Sequence, residues 1–494
     1  MKSSRFLPIL LIALAALLVG ACGKAPLVPD APKGPTQWLP DIAGACTTST
    51  TDPSGVQVSY QFDWGDGTKS EWSQFIDGGV PYSDTHSYSR FGSYAIKVRA
   101  KNSKKASAWS AALGINVVAE GHVAWSTGFT DPFEPEDPDS AEFNVNSFAI
   151  GPDNTAYITS AIVGAVIAFR PSGAVKWAFY TQDPYADEFH SAPVVADDGT
   201  ILVGCVNEFI YALDANGAVK WRDSVGSSVS ATGALGADGT AYFHTEDSML
   251  IALRSNGSRA WEFFTGGGSA APVVGADGTV YAVNQDGMVY AVNPDDGRQK
   301  WATNLLVPVI QAPAINPTRD TMYVMTETGL LQSLDVTTGA TGWSLSVGEE
   351  ASGPVIGPDG SIYVSASGRL LKLSPQLDSL WAFVTPMGGV LSTPAVTADG
   401  YVYVLAVAGK KRLAMQEADT LYAVNPDGSR RWACRLGEGL SDPEYALSAP
   451  KIDAGGYIYV GSGNRAWCVA GISLPAQSIW PMFQRDARNT GRAR

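Results

Sequence analysis

Ser191-Ala192-Pro193-Val194-Val195-Ala196-Asp197-Asp198-Gly199-Thr200-Ile201-Leu202-Val203-Gly204, followed by Tyr211-Ala212-Leu213, Gly217 and Trp221, is one copy of a unit that the chain repeats from residue 121 onward. Each copy reads as a small residue, a proline, two apolar residues, a tight turn, an alternating strand, a second strand ending in Ala-Leu or similar, a glycine turn and a tryptophan. The first turn recurs as Asp238-Gly239-Thr240, Asp277-Gly278-Thr279, Asp359-Gly360-Ser361 and Asp399-Gly400-Tyr401, with Asp153-Asn154-Thr155, Arg319-Asp320-Thr321 and Gly455-Gly456-Tyr457 as variants. A glycine stands four residues before Trp177, Trp221, Trp261, Trp301, Trp343 and Trp432, and Trp381 has Asp378 nearby instead.

Successive tryptophans from Trp177 to Trp432 are 44, 40, 40, 42, 38 and 51 residues apart, the length of a four-stranded propeller blade. Alternation within the strands excludes a helical solenoid. Eight first turns are followed by only seven tryptophans in register, and the eighth lies upstream in Gly121-His122-Val123-Ala124-Trp125. A strand at that position completes the last blade and closes the ring, which removes the open edges of the sheet stack. The expected fold is all-β, an eight-bladed β-propeller over residues 119–494. Its blade tryptophans Trp125, Trp177, Trp221, Trp261, Trp301, Trp343, Trp381 and Trp432 serve as core wedges between neighbouring blades.

This repeat resembles the pyrroloquinoline-quinone-type propeller family, which includes quinoprotein dehydrogenases and the propeller lipoprotein of the outer-membrane barrel-assembly machinery. The resemblance covers residues 121–494, and the tail from Trp480 to Gly491 resembles a segment that ends such propellers, expected to pack on the closing blade. Quinoprotein dehydrogenases of this type hold the quinone with calcium, an Asp base and often a disulfide between adjacent cysteines. None of these is assignable here, because the five cysteines are isolated. No quinone cofactor is therefore expected. The histidines His86, His122, His190 and His244 are scattered without zinc spacing, and no nucleophile elbow or phosphate-binding loop is present.

Upstream of the propeller, Val56 to Trp64 alternates as a strand, Gly65-Asp66-Gly67 turns, and Tyr94 to Ala100 alternates again, which describes a small Ig-like β-sandwich over residues 41–118. Trp64-Gly65-Asp66-Gly67, His86-Ser87-Tyr88 and Phe91-Gly92-Ser93-Tyr94 resemble the polycystic-kidney-disease-type (PKD) domain. In the motif Asp66 accepts turn hydrogen bonds, the glycines supply positive φ and Trp64 fills the core. Asp52, Asp63 and Asp66 are alternatively oxygen ligands for calcium. Pro26, Pro29, Pro32, Pro35 and Pro40 mark residues 22–40 as an extended tether.

The N-terminus has a basic start, Lys2 and Arg5, then the apolar run Phe6 to Val19, too short to span a bilayer. Residues 1–21 read as a signal peptide. Val19-Gly20-Ala21-Cys22 resembles the bacterial lipobox, which implies lipidation at Cys22, and Gly23 in place of Asp implies sorting to the outer membrane. The partner expected at that end is the membrane itself. The formal charge is −14, a balance that repels nucleic acid. The remaining cysteines, Cys46, Cys205, Cys434 and Cys468, leave both a Cys434–Cys468 bridge and solitary buried thiols open.

Propeller topology places the outer-to-inner connections and the turns between middle strands on one face, where acids collect. They include Asp131, Glu134, Glu136, Asp137, Asp139 and Glu142, then Asp183, Asp187 and Glu188 beside His190, then Glu349 and Glu350, then Glu438, Asp442 and Glu444. Phe129, Phe133, Tyr185, Phe189 and Tyr445 offer apolar anchors, and the insertion Ala406 to Asp419 adds Lys410, Lys411 and Arg412. One reading is a lipid-anchored, non-catalytic cell-envelope scaffold that binds envelope proteins or a surface polymer through this face. The alternative is an enzyme, a quinoprotein dehydrogenase or a polysaccharide-degrading enzyme working with paired loop carboxylates.

Overall fold

The computed structural model describes residues 24–493, apart from residues 39, 91, 130–146, 161–163, 183–187, 268–269, 317, 319, 387–388, 408–418, 437–447, 463–464, 472–473 and 476–481. The signal segment and Cys22 lie outside the described residues. The chain divides into two compact units, Met1–Ala119 and Glu120–Arg494.

In the small unit β1 (Gln37–Trp38), β6 (Leu113–Val117), β5 (Gly92–Lys101) and β3 (Ser59–Asp63) form one sheet in that order, and β2 (Gly44–Thr48) pairs with β4 (Tyr82–His86) in a second. Trp38, Tyr60, Phe62, Trp64, Tyr88, Ile96 and Val98 fill the space between them. The turn follows the sequence closely: Gly65 and Gly67 have φ of 79° and 95°, and Asp66 Oδ1 accepts from the Thr68 amide at 2.9 Å and the Thr68 hydroxyl at 2.6 Å. Asp66 Oδ2 lies 2.8 Å from His86 Nε2. Asp63 pairs with Lys69, and Asp52 accepts from the Ser54 amide and the Asn102 side chain. The three carboxylates considered as calcium ligands thus face three different partners.

The proline-rich segment departs from the free tether expected over residues 22–40. The amides of Leu27, Asp30 and Lys33 donate to Thr51 O, Ser49 O and Thr47 O, and Pro26, Pro29 and Pro32 are buried. A polyproline helix has three residues per turn, so the residue after each proline faces the same side. Alternate carbonyls of an extended strand do likewise. The proline period therefore sets up an added edge on β2, and the segment belongs to the sandwich from residue 24.

The second unit is a propeller. Among the described residues it contains eight successive sheets whose strands run antiparallel from the inside out. The second sheet is typical, with Val194–Val195, Ile201–Gly204, Phe209–Leu213 and Val219–Ser224. A bulge between Ala212 and Leu213 marks where the glycine turn feeds the outermost strand, and equivalent bulges recur in the other sheets. In the seventh sheet Val390–Leu391 adds a fifth strand beside the lengthened Val402–Val407. The second strands are buried along their whole length and do not alternate in exposure, because both of their faces pack against neighbouring sheets.

The eighth sheet takes Lys451–Ile452, Tyr457–Ser462 and Arg465–Ala470 from the C-terminal end and β7 (Val123–Gly128) from the N-terminal end. Trp125 stands opposite Cys468 in this pairing, and the Gly121 amide donates to Ala470 O at 2.7 Å. The chain ends therefore meet inside one sheet, as the upstream tryptophan implies.

Candidate interaction faces of the propeller

Apart from Trp343, each blade tryptophan reaches across a seam to the sheet that follows. The indole Nε1 of Trp125, Trp177, Trp221, Trp261, Trp301 and Trp381 donates to a turn carbonyl of the next sheet, at Pro171, Ala215, Ser255, Pro294, Val336 and Pro426. The turn glycine exists for this contact. A Cβ on Gly173, Gly217, Gly257, Gly297, Gly339 or Gly428 would sit 2.6–2.8 Å from the ring of the tryptophan before it. The glycine four residues ahead of a tryptophan thus serves the preceding sheet's indole and not its own. Most of these rings are half-buried at the seam, and Trp261 is the most deeply buried of the eight. Trp343 departs from the wedge role altogether and is 53% exposed.

Sequence reading missed the rings beneath the indoles. Tyr157, Tyr242, Tyr281, Tyr363, Tyr403 and Tyr459 sit on second strands within 5.6–6.0 Å of a tryptophan of the same sheet. The signal was present as a tyrosine two residues after the Thr or Ser of most first turns.

The propeller face that carries the first turns is laced by the C-terminal tail. The Ala398 amide donates to Leu474 O, and the amides of Ile150, Val195, Leu235 and Val274 donate to Ala487 O, Arg488 O, Thr490 O and Gly491 O. Each of these four is the last residue of an innermost strand, so the tail crosses the first four sheets and is not confined to the closing blade. Lys451 anchors it. The inner-strand position that Lys451 holds opposite Tyr459 is occupied by Ala149, Val194, Ala234, Val273, Ala314, Val355 and Ala395 in the other sheets. Its fully buried ammonium donates to Phe483 O and Asp486 O, and burial pulls its pKa down to about 7. Beside the tail, a cleft of about 260 Å³ between the second and third sheets is lined by Trp221, Arg254 and Arg492 among others.

The opposite face carries the outer-to-inner connections. Of the acids expected there, Glu188, Glu349 and Glu350 are described, and His190 Nε2 lies 2.6 Å from the Glu188 carboxylate. Glu188 O also accepts from the Val206 amide at 3.0 Å, which ties this connection to the neighbouring turn. Asp131, Glu134, Glu136, Asp137, Asp183, Asp187, Glu438, Asp442 and Glu444 lie outside the described residues, as do Phe133, Tyr185, Tyr445 and Lys410 to Arg412. Two proposed anchors are corrected: Phe129 and Phe189 are buried, packing on Phe169 and Tyr211. Other apolar residues are exposed at this face. Tyr180, Phe264 and Val384 are the last residues of outermost strands, and Leu306 follows one by two positions, with exposures of 36%, 66%, 63% and 83%. Glu208, Glu246, Asp247, Asp286 and Glu327 occupy the middle turns of the same face. The four cysteines beyond Cys22 are buried and form no disulfide, so Cys434 and Cys468 are not bridged.

The family model described as outer membrane protein assembly factor BamB matches residues 162–309 and 254–381, and that of the PKD domain matches residues 42–113. Comparison with curated proteins gives no match. Among solved structures, BamB from Moraxella catarrhalis aligns at 20% identity and a TM-score of 0.53, covering 70% of this chain and 96% of that one. The computationally designed Ika8 protein (12%, 0.55, 67% and 96%) and the C-terminal WD40 domain of Sif2 (13%, 0.55, 67% and 97%) align as well. At such identities the likeness is one of fold. The repeat, the seams and the two family matches agree: the chain is a β-propeller of PQQ-like repeats preceded by a PKD-type domain.

Proposed function

We propose that the chain is a non-catalytic envelope scaffold, held at the outer membrane through lipid on Cys22 and facing the periplasm, that docks a protein partner on the propeller face opposite its C-terminal tail. The observation that carries this reading is the set of exposed apolar side chains, Tyr180, Phe264, Leu306 and Val384, which stand at or just beyond the ends of outermost strands on that one face among acidic turns. Apolar anchors ringed by polar groups are the composition of a protein-binding surface. The match to a family described as an outer-membrane assembly factor supports the setting.

The test places a photo-crosslinking amino acid at Phe264 or Leu306, with Arg254 on the tail's face as the comparison. The expected result is a discrete adduct with an envelope protein from the first two positions and none from the third. Phe264→Asp with Leu306→Asp should abolish it while Cys22→Ser releases the chain from the membrane fraction. Adducts from Arg254 alone would overturn the assigned face.

A further inference from the structure

Charge is divided unequally between the two units. From Lys24 to Ala119 the small unit holds nine Lys and Arg against eight Asp and Glu, whereas the propeller unit holds 23 against 40. An anionic ligand repelled by the propeller thus has one unit of the chain open to it, and the basic residues there are not scattered.

The β3–β5 register sets Ser59, Gln61 and Asp63 opposite Lys101, Arg99 and Lys97. Because side chains alternate along a strand, Ile96, Val98 and Ala100 enter the core and Lys97, Arg99 and Lys101 point outward. Flanking segments each bring one indole to this outward face. Residues 70–76 hydrogen-bond along β3 and carry Trp72; residues 107–110 hydrogen-bond along β5 and carry Trp109. Trp109 has Lys69 at 5.3 Å and Arg99 at 4.6 Å over its ring, and Trp72 has Arg99 at 5.2 Å and Lys101 at 4.3 Å. The result is a row in which cation and ring alternate: Lys69, Trp109, Arg99, Trp72, Lys101. Gln61 Oε1 fixes its centre by accepting from Arg99 Nε and Nη2 at 3.1 and 2.7 Å. Asp63, at 3.5 Å from Lys69, is the acid that meets the row, and it leaves a surplus of positive charge.

We propose that this face binds an acidic polysaccharide, a chain that carries a carboxylate at regular intervals. Lysine and arginine ordinarily lose much rotamer freedom when they engage an anion; here the rings and Gln61 hold the cations in place beforehand, so that cost falls on the free protein. Arg99 and Lys101 sit two residues apart on one strand, about 7 Å, a spacing suited to a repeating anion and not to a single phosphate. The rings already have cations over them and are poor platforms for stacking bases, which disfavours single-stranded nucleic acid.

The experiment measures binding of the full chain to polygalacturonate, to the same polymer fully methyl-esterified, to polyaspartate and to single-stranded DNA. Expected are salt-sensitive binding to polygalacturonate, none to the ester, and weaker binding to the other two polyanions. Arg99→Gln with Lys101→Gln should weaken polygalacturonate binding about tenfold, as for lost charge-assisted contacts, and Lys101→Gln alone should weaken it measurably with the fold intact. Lys33→Gln, at a residue whose backbone pairs with β2 in the other sheet, should not. Unchanged binding by both row variants, binding to the ester, or equal or tighter binding to polyaspartate or DNA would each overturn the proposal. None of these readouts depends on the propeller face.

Discussion

Leu377 in the sixth sheet stands where the other sheets carry the turn glycine, and Trp343 in the fifth, whose indole would lie on it, is turned out to solvent. Leu377 keeps the glycine's backbone, with φ of 69°, and is itself buried at 4% exposure. The carbonyl that would accept the indole, Pro375 O, accepts Tyr323 OH at 2.9 Å instead. A leucine has thus replaced an indole as the filler of one seam. In Leu377→Gly, Trp343 should move into the emptied slot, giving blue-shifted emission and less acrylamide quenching than the parent. The stability cost should fall below the roughly 2–5 kcal/mol of an unrefilled buried leucine truncation. Unchanged quenching would show that the slot does not govern the ring.

Removal of residues 482–494 should raise the exchange rates of the Ile150, Val195, Leu235 and Val274 amides, which lose their tail acceptors. Ile356, at the end of the sixth sheet's inner strand, should not change. The loss should be roughly 1 kcal/mol for each of the four hydrogen bonds. Hydrogen exchange read by mass spectrometry checks the pattern, and uniform acceleration across all sheets would contradict local lacing.

Asp453, buried in the first turn of the eighth sheet, has its pKa pushed up to about 6 by burial, against opposing hydrogen bonds from the Tyr457 and Gly455 amides. Between about pH 4 and 6 the folded state therefore holds a proton that the unfolded state has released, so this group's contribution falls as pH rises through that window. The difference is about 3 kcal/mol. Asp453→Asn removes the slope while keeping the oxygen that accepts both amides. Urea unfolding at pH 4 and pH 7 should show the variant gaining on the parent at the higher pH; parallel curves would exclude the effect.

Cys46 is fully buried on β2, its pKa raised to about 12 by that burial, and the proline segment passes over it. A Cβ on Gly34 would lie 3.0 Å from its sulfur. The thiol should be inert to a disulfide reagent in the intact chain and react in a chain lacking residues 24–34, at a rate approaching that of the unfolded protein. Labelling followed by peptide mapping distinguishes Cys46 from the other thiols.

The period, the ring closure and the PKD-type turn were legible because each rests on local chemistry: a glycine at positive φ, a tryptophan at fixed distance, an unmatched strand upstream. Four features were not. The glycine before Trp221 serves Trp177, and Leu377 displaces Trp343, because the repeat records what each unit contains and not which neighbour it touches. The proline period specifies extended chain, yet whether such a chain finds an edge to bond depends on β2, which no residue of the segment itself records. Phe129 and Phe189 looked like surface anchors by their place in loops, and packing on Phe169 and Tyr211 draws them inside. Exposed anchors such as Leu306 carry no motif, since any apolar residue at a strand end reads alike until its surroundings are known.

The pairing of Val123–Gly128 with Arg465–Ala470 joins residues more than three hundred positions apart. A chain made from its N-terminus holds that first strand unpartnered through the synthesis of seven sheets. An unfinished or clipped product therefore exposes a bare edge at both ends of an open arc, a shape that proteases and chaperones recognise. Only a chain read through Ala470 sews itself shut, so synthesis of the final sheet is built into the architecture as a condition for persistence.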